Sequence, residues 1–252
     1  MLGNRSELII ENQMLNRRIV YAINKAISED IPQKKREDRL ETNNRYIFAV
    51  GDYINDYLRK YVVKDKIELI SFKRYAWEGR IIVDRENKIT YTISTFKTLK
   101  TIVRKYRNQP HYLVILLYAE NGECKGTTKQ MTIGDFYPEY KMSTFDVDVL
   151  DDDFDKIVQG NISKTDGYKH YIVAYTSEHD EITAIALLLL DKDFVEVDKM
   201  DLMDYINPDF ASLTGTQYEG TEDMEEEQEQ RPLPLKLKSG VKPALRAMEE
   251  EA

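Results

Sequence analysis

The chain has 252 residues, enough for one large domain or two small ones with a core that needs no covalent staples. Hydrophobic residues make up 42% and charged residues 32%, and the single cysteine, Cys124, excludes an intrachain disulfide and points to a reducing compartment. The net charge of −9 hides a split: residues 1–110 carry 23 Lys+Arg against 14 Asp+Glu, and residues 111–252 carry 13 against 31. The longest apolar run, Ala184 to Leu190, is seven residues, far below the roughly 20 a membrane helix needs. Met1 to Ile10 lacks an apolar stretch of signal-peptide length. A soluble, cytoplasmic protein with no membrane partner is expected.

The first element is a helix over roughly Asn4 to Ser28. Leu8, Leu15, Ile19, Ala22, Ile23 and Ala26 recur at three- and four-residue steps, and Asn4 or Ser6 can cap the start. Glu29 to Asn44, with Pro32 and the run Lys34 to Arg39, reads as a solvated connection. A second amphipathic helix is expected from about Arg45 to Val62, with Tyr46, Val50, Tyr53, Ile54, Tyr57, Leu58 and Tyr61 on one side.

Strand signals follow. Ile67 to Phe72, Arg80 to Val83 and Ile89 to Ser94 are rich in β-branched and aromatic residues, the last two flanking a hairpin connection at Asp84 to Lys88. Thr95 can cap a helix bearing Phe96, Leu99, Ile102, Val103 and Tyr106 that ends before Pro110. The apolar run His111 to Tyr118 is expected to be a strand, closed by a turn at Glu120 to Glu123. A strand near Lys129 to Ile133, a helix over Asp146 to Gly160, a hairpin of Tyr168 to Tyr175 with Ile182 to Leu190, a strand at Phe194 to Val197 and a last helical turn at Met200 to Ile206 complete the fold.

Beyond Leu213 the composition turns to acidic and proline-containing segments that bury too little to offset the entropy of ordering. The expected organisation is a helical region over 1–65, a sheet region over 66–213 in the same domain, and a disordered acidic tail over 214–252. The fold class is α+β, a largely antiparallel sheet with N-terminal helices packed on it.

The chemistry-bearing patterns are few. Lys73, Arg74, Arg80, Lys97, Lys100, Arg104, Lys105 and Arg107 cluster around one strand pair and one helix, and Lys97, Lys100, Arg104 and Arg107 step by three and four along a helix face. A row of cations without intervening acids is strained by repulsion that an anion relieves, and phosphate backbones bind such rows. The same face could equally be solvated and paired with acids of the second half. Tyr46, Tyr53, Tyr57 and Tyr61 have the spacing of helix–sheet packing, though tyrosines also stack on bases.

Asp146, Asp148, Asp151 and Asp153 are the alternative metal ligands, which would serve magnesium in phosphodiester chemistry. A calcium loop from Asp151 fails at Lys156 and Ile162, where glycine and a bidentate glutamate are required. His111, His170 and His179 are too far apart in sequence for a zinc motif, and Cys124 has no histidine near it in sequence. No phosphate loop, dinucleotide fingerprint or other cofactor motif is present.

The stretch Trp77 to Thr92, with its Asp84-Arg85-Glu86 connection, the following helix and the His111 run, resembles an uncharacterised domain family of low-GC Gram-positive bacteria and their phages and mobile elements. The resemblance covers about residues 66–120. It implies a bacterial or phage setting and no catalytic residue. The expected function is a non-enzymatic binding or regulatory protein that holds nucleic acid or an acidic protein on its basic face. Two alternatives stand beside it. One is a metal-dependent enzyme on nucleic acid or nucleotides. The other is an interaction module that oligomerises through Leu8, Leu15 and Ile19. The charge split adds the expectation that deleting 214–252 raises affinity for a polyanion.

Overall fold

A computed structural model describes residues 8–64, 66–74, 77–104, 110–125 and 145–206, the side chains of residues 103 and 104 apart. All of these fall in the compact unit Met1–Ser212, one of two units in the chain. The expected strand near Lys129 to Ile133 and the tail lie outside the described residues.

The first helix, α1 (Gln13–Asn24), begins later than Asn4 or Ser6. Its cap is Asn12, whose side-chain oxygen accepts from the Leu15 N–H at 3.1 Å. The expected open connection after Glu29 is replaced by more helix. The chain widens into a π turn over Lys25–Asp30, where the Ile31 N–H donates to the Ala26 carbonyl, and continues as α2 (Ile31–Asp38) with Pro32 in its first turn. In a regular helix the Pro32 ring would strike the carbonyl four residues back, and the wider turn relieves that contact. The charged run then pairs along the helix, Lys34 with Glu37 and Asp38.

The second long helix is α3 (Asn44–Tyr57), followed by another π turn over Leu58–Val62. Tyr46, Ile54, Leu58 and Val62 are buried. Tyr57 donates its hydroxyl proton to Asp30 and stacks on Tyr61 at 5.6 Å, tying α3 back to the first helical arm. Two apolar residues on α3 face water: Ile47 is 74% exposed and Phe48 80%.

Six strands form one sheet in chain order: β1 (Ile67–Arg74), β2 (Trp77–Asp84), β3 (Ile89–Thr95), β4 (Lys169–Glu178), β5 (Glu181–Leu190) and β6 (Glu196–Asp201). Every neighbouring pair is antiparallel except β3 with β4, which is parallel. A parallel pair needs a crossover, and α4 (Phe96–Arg104), α5 (Tyr112–Glu120) and α6 (Val147–Val158) lie in it. The fold is α+β, a largely antiparallel sheet with N-terminal helices packed on it.

The N-terminal helices and the sheet share one core: Leu15, Ile19, Ile23 and Leu58 pack with Tyr91, Tyr171, Val173 and Leu187. The opposite face packs Ile70, Phe72, Ile81, Ile172 and Leu188 against α4, α5 and α6. With both faces covered, β5 is buried from Ile185 to Leu190 without alternation. Leu15 and Ile19 are 2% and 0% exposed within this core, so they offer no seam to a second copy, and Leu8 alone of that trio is on the surface.

The run His111 to Tyr118 is a helix, correcting the expected strand. His111 caps α5, its Nδ1 accepting from the Leu113 N–H at 3.2 Å. Every residue from Tyr112 to Leu117 is buried, and a helix covered on all sides shows no polar stripe to distinguish it from a buried strand. The strand placed at Phe194 to Val197 is shifted to β6, because Phe194 sits at φ 63° in a turn closed by Asp191. Among the described residues no helix is long and apolar enough to cross a membrane.

Candidate functional site

The strands β1 and β2 pair along their whole length, from Ile67↔Asp84 to Arg74↔Trp77. β2 and β3 do not. Their register runs only through Asp84↔Ile89, Val83↔Thr90 and Ile82↔Tyr91, and beyond it the two strands separate. The tip of the β1–β2 hairpin is held by α5 instead of by β3. An Arg74 Nη donates to the Pro110 carbonyl at 2.7 Å, and Trp77 stacks on Tyr112 with ring centroids 5.2 Å apart and planes inclined at 25°. The sheet therefore forks.

A groove of about 1250 Å³ occupies the fork. One wall is α3, with Phe48, Asp52, Ile54 and Asp56. The hairpin contributes Lys73, Arg74, Trp77, Glu78 and Arg80. Tyr91, Ser94 and Thr95 come from β3, and Pro110, His111 and Tyr112 from the start of α5. Lys73 and Arg80 alternate with Arg74 and Trp77 along their strands, so they point to opposite faces of the sheet. The groove thus passes through the fork.

Helix ends add to the positive side. Thr95 accepts from the Thr98 N–H at 3.0 Å and caps α4, and both threonines line the groove. The first turn of α5 enters at His111 and Tyr112. Neither helix has an acid in its first turn. Thr95 and His111 already cap first-turn N–H groups, and the helix dipole adds about half a positive charge at each N-terminus. Three cations and two helix N-termini thus face three carboxylates, Asp52, Asp56 and Glu78, two of them on the opposite wall.

The eight cations grouped by sequence separate in space. Lys73, Arg74 and Arg80 line the groove. Arg74 is engaged by Pro110 and stands 3.9 Å from Asp153, and Arg80 is 4.0 Å from Glu78. Lys97 and Lys100 are exposed on α4 and do not line the groove. Among the described residues Lys73, Lys97 and Lys100 have no acidic partner. The side chains of Arg104, Lys105 and Arg107 lie outside the described residues.

The candidate metal ligands have other occupations. Asp146 caps α6 by accepting from the Asp148 N–H at 3.1 Å, Asp151 pairs with Lys164 at 2.7 Å, and Asp153 pairs with Lys156 at 3.2 Å. Among the described residues no set of three His, Cys, Asp or Glu side chains gathers to hold a metal ion. Burial holds the Cys124 thiol above its ordinary pKa, which disfavours the thiolate.

His170 belongs to a buried network. Its Nδ1 lies 2.7 Å from the Thr90 hydroxyl and its Nε2 2.9 Å from that of Thr92. Thr90 donates its proton to Glu120, so its oxygen can only accept from His170, which places a proton on Nδ1. Both His170 and Glu120 are sealed from solvent, 0% and 2% exposed, and the arrangement supports the core.

Sequence reasoning gave no binding role to Trp77, Tyr112 or Thr98; it took Thr95 as the helix cap, which the structure bears out, and His111 as the opening of a strand. The signal available for His111 was its place after Pro110 and before an apolar run, a helix-start pattern as well as a strand opening. No curated protein and no solved structure matches the chain. The stretch 66–120, which carried the resemblance, lies inside a wider match: the family of unknown function DUF5986 covers residues 10–252, and the chain belongs to that family.

Proposed function

We propose that the protein is a non-enzymatic binding or regulatory protein and that the forked groove holds an anionic partner. The observation that carries this reading is the meeting of Lys73, Arg74 and Arg80 with the N-termini of α4 and α5 in one groove. Cations and helix N-termini both favour phosphate or carboxylate ligands, and here they act on the same volume. A cytoplasmic location in a bacterial or phage setting belongs to the same proposal. It draws on the resemblance of Trp77 to Thr92 and on the single cysteine.

The groove's charge is divided, which gives a test with opposite signs. Lys73→Glu with Arg80→Glu is expected to weaken polyphosphate binding about 10-fold or more at low salt, because two attractive charges become repulsive. Asp52→Asn with Asp56→Asn is expected to strengthen it by about 2- to 5-fold, in line with roughly 0.2–1 kcal/mol for exposed charge pairs. Both effects should shrink as salt rises, since the Debye length falls from about 30 Å at 0.01 M to 10 Å at 0.1 M. Trp77 is the sole tryptophan, so its fluorescence reads binding at the groove directly. If neither pair of substitutions changes affinity, the groove is not the site.

A further inference from the structure

We infer that the groove's ligand is a single-stranded nucleic acid, with one base stacked on Trp77 and its phosphates along Lys73 and Arg80. This rests on the anion-binding reading of the same groove. The evidence is the way Trp77 is mounted. The residue is 49% exposed although it sits among aromatic side chains that could have covered it. Tyr112 lies under one face of the indole at 5.2 Å, and Phe72 meets it edge-on at 5.5 Å with planes inclined at 72°.

The platform requires Gly79. A Cβ on that residue would lie 2.5 Å from Phe72 Cζ and 2.6 Å from Trp77 Cη2, so the two rings lie directly on the strand backbone only because the side chain is absent. The indole is thereby fixed before a ligand arrives, and stacking on it loses little rotamer freedom. Its cross-strand partner, Arg74, stands beside it on the same face of the sheet, while Lys73 and Arg80 line the same groove from the other face, across the fork. Cations beside a fixed, half-exposed aromatic are the elements from which single strands are held without reading sequence.

Alternative polyanions use less of this. A duplex keeps its base faces inside the stack, and an acidic protein surface has no flat π system at the density of one per charge. A groove that passes between two strands of a sheet also suits one extended chain better than a rod.

The test uses the full chain and three probes: a fluorescein-labelled oligo(dT), an abasic oligonucleotide of the same length, and a duplex. The oligo(dT) should quench Trp77 and bind about 10-fold tighter than the abasic strand, whose charge is the same. Trp77→Leu should remove that preference, so that the oligo(dT) and the abasic strand bind this variant equally. Trp77→Phe should keep part of it, with thermal melts confirming that both variants fold. Equal affinity for the oligo(dT) and abasic strands, or tighter binding of the duplex, would overturn the stacking inference and leave the anion groove standing. No binding of any of the three would overturn both.

Discussion

Asn121→Ala is expected to lower the melting temperature of the full chain by roughly 10 °C. The residue is 0% exposed at the end of α5 and serves three backbone groups at once. Its amide nitrogen donates to the His170 carbonyl at 2.8 Å and to the Leu190 carbonyl at 2.7 Å, and its amide oxygen accepts from the His170 N–H at 2.8 Å. The side chain thus joins the crossover helix to the start of β4 and the end of β5. Each buried group left without a partner costs about 1–3 kcal/mol, so the sum is about 3 kcal/mol or more. For a folded unit of this size each kcal/mol shifts the midpoint by roughly 2–4 °C. Asn121→Asp should be at least as damaging, since it keeps the acceptor, loses both donors and places a carboxylate beside two carbonyls. A midpoint within about 2 °C of wild type for the alanine variant would show that water replaces the amide.

Gly79→Val tests the aromatic platform from below. The added Cβ must displace Phe72 or Trp77, and both rings are backed by Tyr112, with Phe72 2% exposed. Overpacking of this kind costs about 1–3 kcal/mol. The displaced indole should also become more solvated, and because the chain has one tryptophan its emission maximum reports that single ring. The expected result is a red-shifted emission, a lower midpoint and loss of any preference for bases over an abasic strand. Unchanged emission would mean that the rings do not rest on Gly79.

Much of the fold was legible where local chemistry agrees with the final packing. The β2–β3 hairpin has β-branched strands around a polar connection, and the β4–β5 pair has two long apolar runs around a turn. The helix over Asp146 to Gly160 has an aspartate cap, and α6 occupies that stretch, although it closes at Gln159, in the left-handed region one residue before the expected Gly160. α5 was not legible, because six consecutive buried residues carry no period, and only the His111 cap separates helix from strand. Nor was the continuation of the first helix through Pro32, which depends on a π turn that has no compositional mark.

The groove was legible in one part only. Lys73, Arg74 and Arg80 stood out as cations near one another in the chain. Their meeting place depends on where the β2–β3 register stops and on Arg74 reaching the Pro110 carbonyl, and both are long-range events. The role of Gly79 depends on Phe72, its partner across the β1–β2 ladder, which no reading along the chain can supply. Conversely, Lys97 and Lys100 share a helix face in sequence and in space, but that face lies outside the groove.

The central claim is that the ligand enters the fork between β2 and β3, and hydrogen exchange on the full chain with and without saturating oligo(dT) tests it most directly. In the free protein the fork-facing amides of residues 77–81 and 92–95 lack ladder partners across the gap, and they should exchange faster than those of residues 82–84. With the oligonucleotide bound, both segments should gain protection while residues 181–201 stay as they were. Protection confined to other segments, or none at saturation, would contradict the account.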